Sequence, residues 1–162
     1  MLTASIDIGK HHHGLAVWQD KLLFHAELVG SQGGQPHPLL ESSELIVELL
    51  FELSRSMGQI STVAIEKMQV YDSAQQKGRQ SDLIDLSICT GAVMFGCKNF
   101  VSSFVLYTPA EWKKQVPKKV MEDRIKKKLT DEEKSYVNLP ARYKAHNVYD
   151  GIGIGLFHHG RL

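Results

Sequence analysis

A chain of 162 residues is long enough to bury one core without help from disulfides or metals, and it predicts a single domain over 1–162. Its two cysteines, Cys89 and Cys97, stand eight residues apart in an apolar stretch with no CxxC pair; this excludes a disulfide-framed secreted module and predicts buried thiols in a reducing compartment. With 19 Lys and Arg against 18 Asp and Glu, the net charge of +1 gives no whole-molecule argument for a nucleic-acid partner.

The opening MLTASIDIGKHHHG lacks the charged start, apolar run and cleavage site of a signal peptide, and no stretch is long enough to span a bilayer. A soluble, cytoplasmic protein without membrane attachment is expected. Thr3–Ile8 reads as a buried strand, and Gly14–Gln19 and Leu22–Val29 as two more joined by an Asp20-Lys21 turn. Ser31–Pro38, rich in Gly, Gln and Pro, is a loop. Glu41–Met57 places Leu45, Leu49, Leu50, Leu53 and Met57 at helical spacing, with Ser42 or Ser43 as cap. Ile60–Ile65 is a β-rich run leading to Glu66, Ser81–Phe95 a helix capped by Ser81, and Ser103–Tyr107 a fifth strand. Lys118–Leu129 is a basic helix, Thr130–Arg142 a polar connection with a helical turn begun by Thr130-Asp-Glu-Glu133, and Ala145–His159 a final helix. Three antiparallel strands followed by strands alternating with helices predict an α/β fold, a five-stranded mixed sheet with helices on its faces.

Three acids stand out by position. Asp7 ends the first strand, Glu66 ends the fourth, which the βββαβ order allows beside the first, and Asp150 lies in the last helix, which could pack across the same edge. Such an oxygen-rich pocket suits Mg²⁺ or Mn²⁺, and clustered carboxylates would otherwise repel one another. Two ions about 3.5–4 Å apart activate a water on one side of a phosphodiester and stabilise the leaving oxygen on the other, so hydrolysis of a nucleic-acid backbone is the expected reaction. Taken singly, each acid reads as an ordinary turn or surface residue; the joint placement makes the case. The uneven charge agrees, since Glu111–Lys128 holds eight Lys or Arg against three acids, and Lys113, Lys114, Lys118 and Lys119 could follow a phosphate backbone.

Ser5-Ile-Asp7-Ile-Gly9 with Gly14-Leu-Ala-Val17, then Val63-Ala-Ile-Glu66-Lys-Met-Gln69, then His146-Asn-Val-Tyr-Asp150 before a small-residue helix resemble the RuvC-type Holliday junction resolvases, especially phage-like members. Thr108-Pro-Ala-Glu-Trp112-Lys-Lys-Gln-Val-Pro-Lys118 resembles the segment before the basic helix of those proteins, so the likeness spans nearly the whole chain. It implies a ribonuclease H-like fold, a homodimer, and Mg²⁺-dependent paired cuts in two strands of a four-way DNA junction. It also implies four metal-binding side chains, three falling on Asp7, Glu66 and Asp150. The fourth place, three residues before the last Asp, departs from the pattern by holding Asn147, with His146 just ahead. Either shares a helix face with Asp150; His146 has the stronger ligand chemistry, an imidazole that binds metal or accepts a proton near neutral pH. The resemblance further implies catalytic support from Lys114 and from Lys118 or Lys119. It makes Tyr71 a candidate to insert at the junction, within a polar loop where Lys77 and Arg79 would contact DNA.

Other features carry plainer expectations. Asp82 and Asp85 suit the positive end of a helix, His11-His12-His13 an exposed turn, and His158-His159 a helix end. Gly151, Gly153 and Gly155 each cost a helix about 1 kcal/mol relative to Ala, which predicts close packing of the last helix on the sheet. The apolar excess of Ser81–Phe95 suggests a share in a dimer surface. Two rival functions remain: an RNA-processing or RNA–DNA hybrid nuclease on the same scaffold, and a module that binds branched DNA without cutting, prompted by Asn147.

Overall fold

The Asp20-Lys21 turn takes left-handed backbone at both residues, φ 50° and 72°, the conformation that lets a two-residue hairpin match the twist of its strands. It joins β2 (His12–Gln19) to β3 (Leu22–Gly30), and β1 (Leu2–Asp7) pairs antiparallel with β2 on the other side. This computed structural model describes residues 1–30, 38–69, 80–139 and 145–162. Next come α1 (Pro38–Met57), β4 (Ile60–Glu66), α2 (Gln80–Cys97), β5 (Val101–Tyr107), α3 (Pro109–Trp112), α4 (Lys118–Lys128), α5 (Asp131–Ser135) and α6 (Ala145–His158). The sheet order is β3-β2-β1-β4-β5, with β4 parallel to both β1 and β5, the mixed five-stranded sheet expected. None of the described helices is long and apolar enough to cross a membrane.

Strand alternation sorts the side chains onto two faces. Leu2, Ala4, Ile6, Leu15, Val17, Val63 and Ile65 join one cluster with Ile46 and Leu50 of α1 and Cys89, Val93 and Cys97 of α2. Ala16, Trp18 and Ala64 belong to the other, with Trp112, Met121 and Ile125 and with Val148, Ile152, Ile154 and Leu156 of α6. Both cysteines are buried, as expected, and burial pushes the Cys97 thiol up to about 12.

On the second face α6 approaches the sheet at backbone distance. A Cβ on Gly14 would lie 1.8 Å from the Asn147 carbonyl oxygen, and one on Gly155 would lie 2.2 Å from Trp18 Nε1. The predicted close packing is therefore real, and glycine is what permits it. A buried chain of hydrogen bonds fixes the crossing: Trp18 Nε1 donates to Ser5 Oγ at 2.9 Å, and Ser5 Oγ donates to the Gly151 carbonyl at 2.8 Å.

Several local expectations need correction. Helix α1 begins at Pro38, so Ser42 and Ser43 lie inside it and donate back to the Leu39 carbonyl rather than capping. Strand β2 begins at His12, and His13 is buried beside α1, with burial pushing its imidazole down to about 4, rather than standing in an exposed turn. Asp82 and Asp85 do more than meet a helix dipole, because Lys10 Nζ lies 3.0 Å and 2.6 Å from their carboxylates. The polar connection after α4 also seals the sheet. Tyr136 O accepts from Ala26 N at 3.0 Å and Asn138 N donates to Ala26 O at 2.7 Å, which pairs the outer edge of β3.

Candidate active site

Asp7 follows Thr3 and Ser5 on the α6 side of β1, and Glu66 follows Ala64 on the same side of β4. Because Ile6 pairs with Ile65 in parallel register, the two acids end neighbouring strands at the same edge. Asp7 is also the register partner of Gly14, the residue on which α6 rests, so Asp150 is delivered to that edge. Asp7, Glu66 and Asp150 thus meet through three elements distant in sequence.

A short helix with no periodic signature in the sequence sets the next two residues. Thr108 and Glu111 form a reciprocal capping box around α3, with Pro109 in the first turn. Trp112, 2% exposed, packs against Gly153 and donates its indole N–H to Glu66 Oε2 at 2.8 Å. Lys113 Nζ stands 3.1 Å from the same Glu66 oxygen and 3.2 Å from Asp150 Oδ2, and 4.5 Å from the Trp112 ring centre. Burial works against the Lys113 charge, yet Asp150, Glu66 and Asp7 hold its pKa above the ordinary lysine value. Asp7 goes the other way: desolvation first, then Asp150 and Glu66, push its carboxyl up to about 8 despite the opposing pull of Lys113 and Lys118.

Other sequence candidates fall around this centre. His146 and Asn147 are half-buried in the first turn of α6, one turn before Asp150. Lys114, Lys118 and Lys119 are all exposed; Lys118 opens α4 and is felt by Asp7, and Lys114 has left-handed backbone at φ 53°. The lysine seated among the carboxylates is Lys113, not Lys114. Tyr71, Lys77 and Arg79 lie outside the described residues. At the far end of α6, Tyr107 Oη lies 2.9 Å from His158 Nδ1 and Thr3 Oγ1 lies 3.0 Å from His159 Nε2, so that histidine pair ties the helix to the sheet.

Among the described residues, no three His, Cys, Asp or Glu side chains already surround one point as a metal cage. The donor chemistry nevertheless fits a hard divalent cation. Glu66 and Asp150 share the Lys113 ammonium, and desolvation together with those two acids disfavours the charge on Asp7, a carboxylate that a bound divalent ion would favour in its charged form.

No protein-family model matches the chain, and no curated protein matches it by sequence. Solved structures do. RuvC of Thermus thermophilus in complex with a Holliday junction substrate superposes with a TM-score of 0.71 at 20% identity, covering 98% of this chain and 92% of that one. A second Thermus thermophilus RuvC structure gives 0.65 at 21% identity, covering 98% and 93%. The yeast mitochondrial Holliday junction resolvase gives 0.59 at 13% identity, covering 94% and 75%. The chain has the ribonuclease H-like fold of these proteins.

Proposed function

We propose that the protein is a divalent-metal-dependent, structure-selective DNA endonuclease that resolves four-way junctions by paired phosphodiester hydrolysis. The observation that carries this reading is the meeting of Asp7, Glu66 and Asp150 around Lys113 at the strand ends of a fold shared with junction resolvases. Asp7, Glu66 and Asp150 would hold Mg²⁺ or Mn²⁺, with His146 or Asn147 one turn away. Bound as a pair, such ions supply an activated water and a Lewis acid for the leaving oxygen.

The chain's own residues supply the rest. Trp112 fixes the orientation of Glu66 through its indole N–H, as an outer partner does for a metal-binding carboxylate. Lys113 brings positive charge to the point where a phosphate would meet the carboxylates. Exposed Lys114, Lys118 and Lys119 extend that charge along a backbone track, so binding should weaken as salt rises. Ile84, Ile88 and Phe95 leave one side of α2 exposed, and in this reading a second copy covers it, giving two sites for two symmetric strands.

The test offers a synthetic four-way junction, its linear duplex and an RNA–DNA hybrid of equal length, each with and without Mg²⁺ or Mn²⁺. Metal-dependent paired nicks in the junction, much faster than cuts in the other two, are expected, together with a dimer by sedimentation. Faster hybrid cleavage by a monomer would favour the RNA-directed rival. Tight junction binding without products at any metal concentration would favour a non-cleaving module.

A further inference from the structure

Lys113 meets the carboxylate cluster as a tethered cation. Its ammonium joins side chains from two elements, Glu66 of β4 at 3.1 Å and Asp150 of α6 at 3.2 Å. Among the described residues, no other Lys or Arg forms an ion pair with either acid. Its backbone is anchored, since Lys113 N donates to the Pro109 carbonyl at 2.9 Å at the end of the capped α3, and the preceding Trp112 is buried. The side chain is less confined. About a quarter of it, 26%, is exposed, and its four-carbon stem can carry the ammonium from the carboxylates to the mouth of the site without backbone movement.

The oxygens that Lys113 occupies are ones a divalent ion would need. We propose that Lys113 is the resident counter-ion of the metal-free site and is exchanged for the incoming divalent cation, so that metal loading and release of Lys113 toward the substrate phosphate are one event. This rests on the metal-dependent reading above. One positive charge leaves the carboxylates as two arrive, which makes the exchange favourable, while the need to displace the ammonium lowers the affinity for metal. A site built this way stays folded without metal. It also delivers a phosphate-binding ammonium only once metal has loaded. Lys113 is therefore a positioning group with two stations, unlike the exposed Lys114 beside it.

The experiment is calorimetric titration of Mn²⁺ into the full chain without DNA, for the wild type, Lys113→Met, Lys113→Arg and Asp150→Asn, with folding checked by circular dichroism. Lys113→Met should bind Mn²⁺ about tenfold or more tightly than wild type, and Lys113→Arg no more tightly than wild type. Should Lys113→Met fail to fold, Lys113→Gln carries the same expectation. Binding by the neutral variant no tighter than wild type, or by Lys113→Arg as tight as by the neutral variant, overturns the exchange. Asp150→Asn separates this failure from that of the wider reading. If it weakens Mn²⁺ binding while the neutral variant does not strengthen it, only the exchange is lost; if it leaves Mn²⁺ binding intact, the metal site itself is misplaced and both fall.

Discussion

Two carboxylates, Glu133 and Asp7, show how the same group is driven in opposite directions. Glu133, at the start of the segment that seals β3, is buried yet completely partnered: Arg161 donates from Nη1 at 2.6 Å and from Nη2 at 2.8 Å, Leu23 N at 2.8 Å and Thr130 N at 2.9 Å. Burial alone would raise its pKa, but these donors bring the carboxyl down to about 2. Asp7, at the strand ends, is pushed up to about 8 by desolvation first and then by Asp150 and Glu66. A buried carboxylate surrounded by its donors keeps its charge, whereas one desolvated among other acids is driven toward its neutral form.

Removing each acid should break different properties. Asp7→Asn should lower junction cleavage on the order of 10³-fold or more in single-turnover assays without lowering thermal stability. Glu133→Gln or Arg161→Met should leave folded-state cleavage within a few-fold and cost about 3–5 kcal/mol in denaturant unfolding, as expected when one partner of a buried pair is lost. If Glu133→Gln harmed cleavage as much as Asp7→Asn, the division between the two groups would not stand.

Acid and base sharpen the contrast. Glu133 has a depressed pKa, so its stabilisation is present above about 4.5 and is lost as pH falls toward 2. Asp7 has a raised pKa, so the stabilisation from its bound proton is complete below 3.8 and is lost as pH rises through about 8. Metal-free protein should therefore lose stability at both ends of that range. Melting curves of Asp7→Asn should lack the decline toward pH 8, and saturating Mg²⁺ should reduce it in the wild type.

Smaller effects test how the helix carries Asp150 to the site. Gly14→Ala would push a methyl into the Asn147 carbonyl, and a loss of about 1–3 kcal/mol is expected, with cleavage reduced because Asp150 moves with α6. Trp112→Phe removes the donor to Glu66 and, because the new ring is smaller, also withdraws the outer ring atoms that pack on Gly153; about 1–3 kcal/mol and a several-fold slower cleavage step are expected. If Gly14→Ala lowered stability with cleavage untouched, the docking of α6 would not be what positions Asp150.

Much of the scaffold is legible in the sequence because strand and helix patterns are local. The hairpin turn, the alternating strands, the basic helix and the final helix all show there near their observed places. Helix α3 does not, since four residues are too short for periodicity, although Thr108, Pro109 and Glu111 spell its capping box. The opening of α1 is hidden because Pro38 closes a loop-like stretch, while proline also suits a helix's first turn. The histidine run misleads because a polar triplet gives no sign that β2 has already begun.

The sequence by itself determined the order of strands and helices along the chain, the strand-end positions of Asp7 and Glu66, and the glycines that let α6 approach. Alternation, turn chemistry and the absence of a Cβ all act within a few residues of one another. Only the tertiary structure decided that Lys113 rather than Lys114 meets the acids, that Trp112 orients Glu66, and that Glu133 belongs to Arg161. Those outcomes depend on which side chain a short capped turn and a docked helix bring within about 3 Å of a distant carboxylate, a distance set by packing rather than by spacing along the chain.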